Sequence, residues 1–270
     1  MSKPKIAPRE LITLTFGDMA ENHVGMEQIG KMVEVGEGFQ LADLEQIKPR
    51  MEALGCTCEL VNLAEGGENL PEAHELVMRK GVNSLLSLRS KGLIHPWKQI
   101  DVFQEQTALE YDKQAFMYGR VVNKHARWNL CFDEESRAPS YEDGKGRIVG
   151  YKEVPRMALL KSAIEEMMGP KAMGLKVESN YYFDTNKCGI GYHGDGERRK
   201  VIGVRLGYSA MPMYWQWYYQ GETVGEPVII PLFPGDMYIM SEKAVGTDWK
   251  KKTIPTLRHA TGAMKFTKNE

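Results

Sequence analysis

Apolar and polar positions change period along this chain, and each change marks an element. Leu11 to Phe16 alternates apolar residues with threonine, the period-two pattern of a strand with its two faces in different surroundings. Leu41 to Leu54 carries helical spacing and stops at Gly55, and Cys56 to Leu63 predicts another strand. Pro71 to Leu86 predicts a helix with proline in the first position, where a missing N–H costs no intrahelical bond. Together these predict a small α/β segment. Glu21, Asn22 and His23 fall in a loop after its first strand, where they read as solvated or capping groups. Gly92 to Tyr111 has no clear periodicity, which places a soft boundary near residue 112: segment 1–111, of unassigned role, precedes a second region, 112–270.

In that second region Val154 to Met168 has helical spacing that ends at Gly169-Pro170, a terminator followed by a residue that cannot continue a helix. After Asn180 the pattern shortens. Cys188–Tyr192, Lys200–Leu206, Met213–Tyr219, Glu226–Leu232, Asp236–Met240 and the segment around His259 predict strands separated by turn residues. Such a run implies a jelly-roll barrel, so the expected class is α+β: a double-stranded β-helix core with flanking helices and the small N-terminal α/β segment. Trp215 and Trp217 recur at period two and are expected to pack one sheet face.

Composition narrows the setting. The 270 residues contain no apolar run approaching 18, and Met1-Ser2-Lys3-Pro4-Lys5 is polar, so a membrane span and a secretory leader are not expected and the cytosol or nucleus is. Cys56, Cys58, Cys131 and Cys188 lack Cys-x-x-Cys spacing and read as buried reduced thiols. The formal charge of −1 conceals an asymmetry: residues 1–110 carry 11 basic and 17 acidic side chains, residues 111–270 carry 24 and 19. A positive second half tilts slightly toward an anionic substrate such as nucleic acid.

The candidate chemistry lies in His193-Gly194-Asp195 and in His259, 64 residues beyond Asp195. Two imidazoles and one carboxylate on one side of a metal leave the opposite positions open, as a mononuclear iron(II) oxygenase requires. In an extended strand His193 and Asp195 point the same way and reach one ion together. The bland reading is a surface turn and a core-edge histidine. The same ligands also accept zinc, nickel or manganese.

Three flanking segments give this triad a context: Asn180-Tyr181-Tyr182 upstream, the turn Pro234-Gly235-Asp236-Met237-Tyr238-Ile239-Met240-Ser241, and Leu257-Arg258-His259-Ala260-Thr261-Gly262. In this order, over about residues 117–268, the chain resembles the AlkB-like branch of the iron(II)/2-oxoglutarate dioxygenases. Lys124-His125-Ala126-Arg127-Trp128-Asn129-Leu130 and Tyr141-Glu142-Asp143-Gly144 look like that branch's substrate lid, with its proline absent.

The resemblance implies an oxidoreductase that couples conversion of 2-oxoglutarate and O2 to succinate with oxidation of a substrate C–H bond. Its iron would sit on His193, Asp195 and His259, while Asn180 and Tyr182 would hydrogen-bond the cosubstrate. The far carboxylate of 2-oxoglutarate needs a cation. Relatives place arginines on the strand after the distal histidine, whereas this chain offers Lys265 and Lys268. Lys265 shares strand parity with His259 if that strand is unbroken; Arg258 has the opposite parity, and Arg205 on an earlier strand is the competitor. Arg127, Trp128 and Tyr141 are the candidates for contact with substrate, and Lys250-Lys251-Lys252 reads as a solvated loop that could also track phosphate. By analogy the first substrate is a methylated nucleobase in nucleic acid. A protein side chain, a base carbon-methyl or a small metabolite, and a catalytically silent binding module, are the alternatives.

Overall fold

Leu11–Gly17 forms β1, the first strand of the chain and a central one of its larger sheet. It is followed by β2 (Met19–Glu21), β3 (Gln28–Gly30), α1 (Leu41–Glu52), β4 (Thr57–Asn62), β5 (His74–Arg79), α2 (Gly81–Arg89) and α3 (Gln99–Thr107). Next come β6 (Gln114–Met117), β7 (Arg120–Asn123), β8 (Trp128–Asp133), β9 (Ile148–Gly150), α4 (Pro155–Met168) and β10 (Lys176–Tyr182). The chain closes with β11 (Gly189–His193), β12 (Val201–Gly207), β13 (Met213–Tyr219), β14 (Glu222–Ile230), β15 (Met237–Met240), α5 (Glu242–Val245), β16 (Thr256–Gly262) and α6 (Met264–Thr267). This computed structural model describes residues 9–65, 67, 69–89, 92 and 94–268; the polar start Met1–Lys5 lies outside the described residues.

The protein is a mixed α+β fold dominated by sheet. Eight strands run β4-β5-β15-β12-β1-β10-β8-β9, and a second sheet runs β11-β16-β13-β14; the two stay separate and form no closed barrel. The alternation in β1 sorts its residues between the layers. Ile12, Leu14 and Phe16 enter the largest apolar core with Leu44 of α1, Leu85 of α2, Phe103 of α3 and Leu160 of α4. Each such buried side chain contributes roughly 1.5–3 kcal/mol. Thr13 and Thr15 face the other way, into a cavity between the sheets. Beside that cavity Val77 and Met240 of the large sheet pack on Trp215, Trp217 and Leu257 of the small one. The period-two tryptophans thus pack one face, their indole N–H groups donating to Glu75 Oε2 at 3.0 Å and Leu63 O at 2.7 Å.

β1 pairs antiparallel with β10 on one side and β12 on the other, Thr13 lying opposite Asn180 and Arg205. The expected boundary near residue 112 therefore falls within one shared sheet: β1, β4 and β5 from before it pair among or beside β8, β10, β12 and β15 from after it.

Two elements correct the pattern reading. Pro71 to Leu86 is not one helix; His74–Arg79 is a strand between β4 and β15, buried on nearly every residue, and the chain turns at Lys80 (φ 57°) before α2 begins at Gly81. A strand covered on both faces has a continuous apolar run that its period cannot distinguish from helix. The stretch Gly92 to Tyr111 contains α3, whose nine residues are too few to set up a visible period. The later strands and α4 lie where expected to within a few residues, with Pro155 opening α4 and Gly169 (φ 84°) ending it. All four cysteines are buried and free. Among the described residues no helix is long and apolar enough to cross a membrane.

The Pro234-Gly235-Asp236 turn is held by its buried carboxylate. Asp236 accepts from Phe233 N at 3.0 Å, from Lys80 N at 3.0 Å and from Arg79 Nη1 at 2.8 Å, tying β15 to the end of β5. Asp236→Ala leaves two backbone donors unpaired and removes one of the two carboxylates on Arg79, which keeps Glu59 and Pro231 O, and is expected to cost about 2–4 kcal/mol. Urea unfolding checks this as a lowered midpoint at unchanged slope; a midpoint equal to wild type would contradict it.

Candidate metal centre

β11 ends at His193, so Asp195 sits just beyond the strand and not on it, a correction to the single-strand geometry. Gly194 is the reason. A Cβ there would lie 2.1 Å from Gly246 O and 2.7 Å from Trp249 Cβ, so only glycine lets the chain pass this backbone. Asp195 N then donates to Val245 O at 2.9 Å, which fixes the carboxylate. β16 pairs with β11, bringing His259 opposite His193.

The three side chains converge, each offering one ligand atom, with those atoms within 4.8 Å of one another. Asp195 Oδ1 lies 3.5 Å from His193 Nε2 and 3.6 Å from His259 Nε2, and the ring centroids are 4.4 Å apart. His193 Nδ1 lies 2.8 Å from Gly191 O and 3.0 Å from His259 O. Both are carbonyls and only accept, so Nδ1 carries the proton and Nε2 presents its lone pair to the carboxylate. Protonation of one imidazole would relieve that repulsion by pairing it with Asp195. A divalent cation between the three atoms relieves it directly, so these residues fit a metal.

Electrostatics keep Asp195 and His259 in forms able to bind a metal. Burial alone would raise the Asp195 carboxyl, but chiefly the Arg198 guanidinium holds it well below the usual carboxylate range. Burial, then the neighbouring His193, lowers the His259 imidazole, keeping it neutral. Trp215 packs edge-on to His259 with centroids 5.2 Å apart.

The triad lines a cavity of about 990 Å³. Its deep end holds Arg205, 1% exposed, which donates through Nη1 to Thr13 Oγ1 at 2.7 Å and has no carboxylate of the described residues within ion-pair distance. Tyr182 and Tyr238 line the same end, and no hydrogen-bond partner is found for either hydroxyl among the described residues. Gly203 makes room for Tyr238, whose Cζ would lie 1.9 Å from a Cβ there. Asn180 also lines the cavity, but its amide is spent on protein: Oδ1 accepts from Arg127 Nε at 2.8 Å and Asn129 Nδ2 at 2.7 Å, and Nδ2 donates to Glu178 Oε1 at 3.1 Å. It braces Arg127, which also lines the cavity.

Three sequence candidates lie elsewhere. β16 stops at Gly262, so Lys265 belongs to α6, is exposed, and does not line the cavity; strand parity with His259 does not extend that far. Trp128 alternates with Arg127 and Asn129 and so points to the opposite face, stacked on Phe183 at 4.3 Å. Tyr141 donates to Asp112 Oδ1 at 2.7 Å, away from the cavity. Conversely, Glu21 and His23 form part of the cavity mouth with Trp249 and Lys250, although the first pair reads in sequence as a solvated loop. Burial, then Glu197, pushes the Glu21 carboxyl up to about 7.

No family model matches the chain. It is 48% identical over 265 residues to uncharacterized protein R156 of Acanthamoeba polyphaga mimivirus, covering 96% of this chain and 98% of that protein.

Beneath the site Glu75 is fully buried and accepts from Trp215. Burial pushes its carboxyl from the ordinary 4.5 up to about 8, against weaker pulls from the Trp215 N–H, Arg205 and Arg79. Between those values the folded protein binds more protons at Glu75 than the unfolded chain, so stability falls as pH rises through this window. Glu75→Gln keeps an acceptor for Trp215 and cannot ionise. Relative to wild type it should gain on the order of 3 kcal/mol between pH 5 and pH 8, measured by urea unfolding; a stability difference independent of pH would refute this.

Proposed function

The chain belongs to the family of the mimivirus uncharacterized protein R156, and we propose that it is an iron(II)/2-oxoglutarate-dependent dioxygenase, built on a jelly-roll core, that oxidises a C–H bond. The observation that carries this reading is the His193 lone pair turned toward Asp195 beside a second imidazole, an arrangement that a divalent cation satisfies. Packing of Trp215, Trp217 and Leu257 of the four-stranded sheet on Val77, Val201 and Met240 of the large one supports the jelly-roll reading.

His193, Asp195 and His259 would hold the metal. Bound iron(II), with 2-oxoglutarate and O2, supplies the oxidising power for hydroxylation while the cosubstrate leaves as succinate and CO2. The chain's own part is binding and orientation. Arg205, a buried cation with no carboxylate of the described residues within ion-pair distance, takes the far carboxylate of the cosubstrate, with Tyr182, Tyr238 and Thr13 as hydrogen-bonding neighbours. This gives Arg205 the role that sequence parity offered to Lys265.

The proposed substrate is a methylated nucleobase in nucleic acid. Arg127 at the wall and Trp249 and Lys250 at the mouth suit a planar group carrying phosphate. Glu21 and Glu197 line the same mouth and favour a second reading, a cationic substrate such as a protein amine.

Succinate formation by the iron(II)-loaded protein, with and without methylated oligonucleotides, tests the proposal. Turnover that His193→Ala abolishes and that oligonucleotide increases is the expected result; turnover indifferent to nucleic acid favours the second reading, and metal binding without turnover refutes the enzyme. Arg205→Met should raise the KM for 2-oxoglutarate by at least about 30-fold, while Lys265→Ala leaves it unchanged. Equal KM values for Arg205→Met and wild type would remove Arg205 from the role.

A further inference from the structure

Asp195 has two carboxylate oxygens, and the structure treats them differently. Oδ1 faces both imidazole Nε2 atoms, whereas Oδ2 lies 3.6 Å from Arg198 Nε. Arg198 is three residues further on and 2% exposed, a depth at which a guanidinium is kept only if its position is fixed by partners. Two glutamates hold it: Nη2 donates to Glu178 Oε2 and to Glu197 Oε1, each at 2.6 Å, and Nε donates to Glu197 Oε1 at 3.0 Å. Its backbone is held as well, Arg198 O accepting from Thr247 Oγ1 at 2.7 Å.

Glu178, in turn, is not free to follow the arginine. It sits on β10, receives Asn180 Nδ2 on Oε1 at 3.1 Å, and receives the backbone N–H of Glu21 on Oε2 at 3.1 Å. The guanidinium is therefore anchored to the large sheet and through it to β2, and Oδ2 of Asp195 meets a cation that cannot swing away. The contact is charge attraction and not a hydrogen bond, since the Nε hydrogen is donated to Glu197, yet it draws Oδ2 toward the guanidinium and leaves Oδ1 facing the two imidazoles.

We propose that Arg198 is a positioning residue that makes Asp195 a one-oxygen ligand, holding Oδ2 off the metal and leaving the facing positions to cosubstrate and O2. The inference rests on the metal reading of His193, Asp195 and His259. Without the arginine, Oδ2 is released to become a second ligand atom and to take a position that water or cosubstrate would otherwise occupy.

The test uses Mn(II) as the probe on the full chain. Affinity is read by calorimetry, and water-proton relaxivity per bound Mn(II) reports the waters left on the ion. Arg198→Lys keeps the positive charge but loses the planar fork, and thermal unfolding confirms that the variant is folded. The expected result is a Kd raised about 10–100-fold and a lower relaxivity, because Oδ2 displaces a water. Relaxivity equal to wild type in folded Arg198→Lys overturns the role, whatever the affinity. Should Arg198→Lys fail to fold, Glu178→Gln decides, since it removes one anchor of the guanidinium and keeps the cation: a smaller drop in relaxivity supports the role and none overturns it. Wild-type protein that binds no Mn(II) overturns the metal reading, and the role of Arg198 with it.

Discussion

The pairing of β1 between β10 and β12 is the constraint on which the rest of the molecule depends. It places Thr13 between Asn180 and Arg205 in one row across the sheet, so a residue from the beginning of the described chain supplies the hydrogen bond that orients a cation at the bottom of the cavity. The same strand sends Ile12, Leu14 and Phe16 into the helical layer. One six-residue alternation thereby joins the apolar core to the polar floor of the site. Period two is what permits this, because only a strand exposes successive residues to opposite layers.

Around that floor, polar groups satisfy one another in a graded way. Toward the wall the side chains are fully committed: Lys124 bonds Asn22 and Asn129, Asn129 bonds Asn180, and Asn180 steadies Arg127. Burial pushes Lys124 down to about 7, although Asp112 nearby pulls the other way. Toward the centre, the Arg205 guanidinium and the hydroxyls of Tyr182 and Tyr238 are left with spare capacity. Unused hydrogen-bonding capacity in a concave, buried place is costly unless a ligand takes it up, which is why the cavity and not the polar wall carries the proposed chemistry.

Much of this was legible in the sequence, for identifiable reasons. His193, Asp195 and His259 are residue types whose joint presence limits the chemistry, and β1, β13 and α4 have strong periods with clear ends. What was not legible depends on partners remote in sequence. His74–Arg79 reads as helix because a strand buried on both faces shows no alternation. Lys265 was favoured by parity, but parity holds only as long as the strand lasts, and β16 ends at Gly262. Glu21 and His23 are ordinary loop residues by composition; only the approach of Trp249 and of the His193, Asp195 and His259 cluster makes them a cavity mouth. Arg198 carries no pattern of its own, since it lies in the loop after β11 and its meaning comes from Glu178 on β10.

The central position of β1 also sets a schedule for synthesis. Its two partners end at Tyr182 and Gly207, so the strand emerges from the ribosome long before either exists. At about 5–20 residues per second that interval is on the order of ten seconds or more. Throughout it a strand with an aliphatic face stands unpaired on both edges, the form most prone to join another chain. Its threonines, which later line the cavity floor, make the other face polar in the meantime. A residue pattern that serves a buried site in the finished protein thus also moderates the hazard of its own delayed burial.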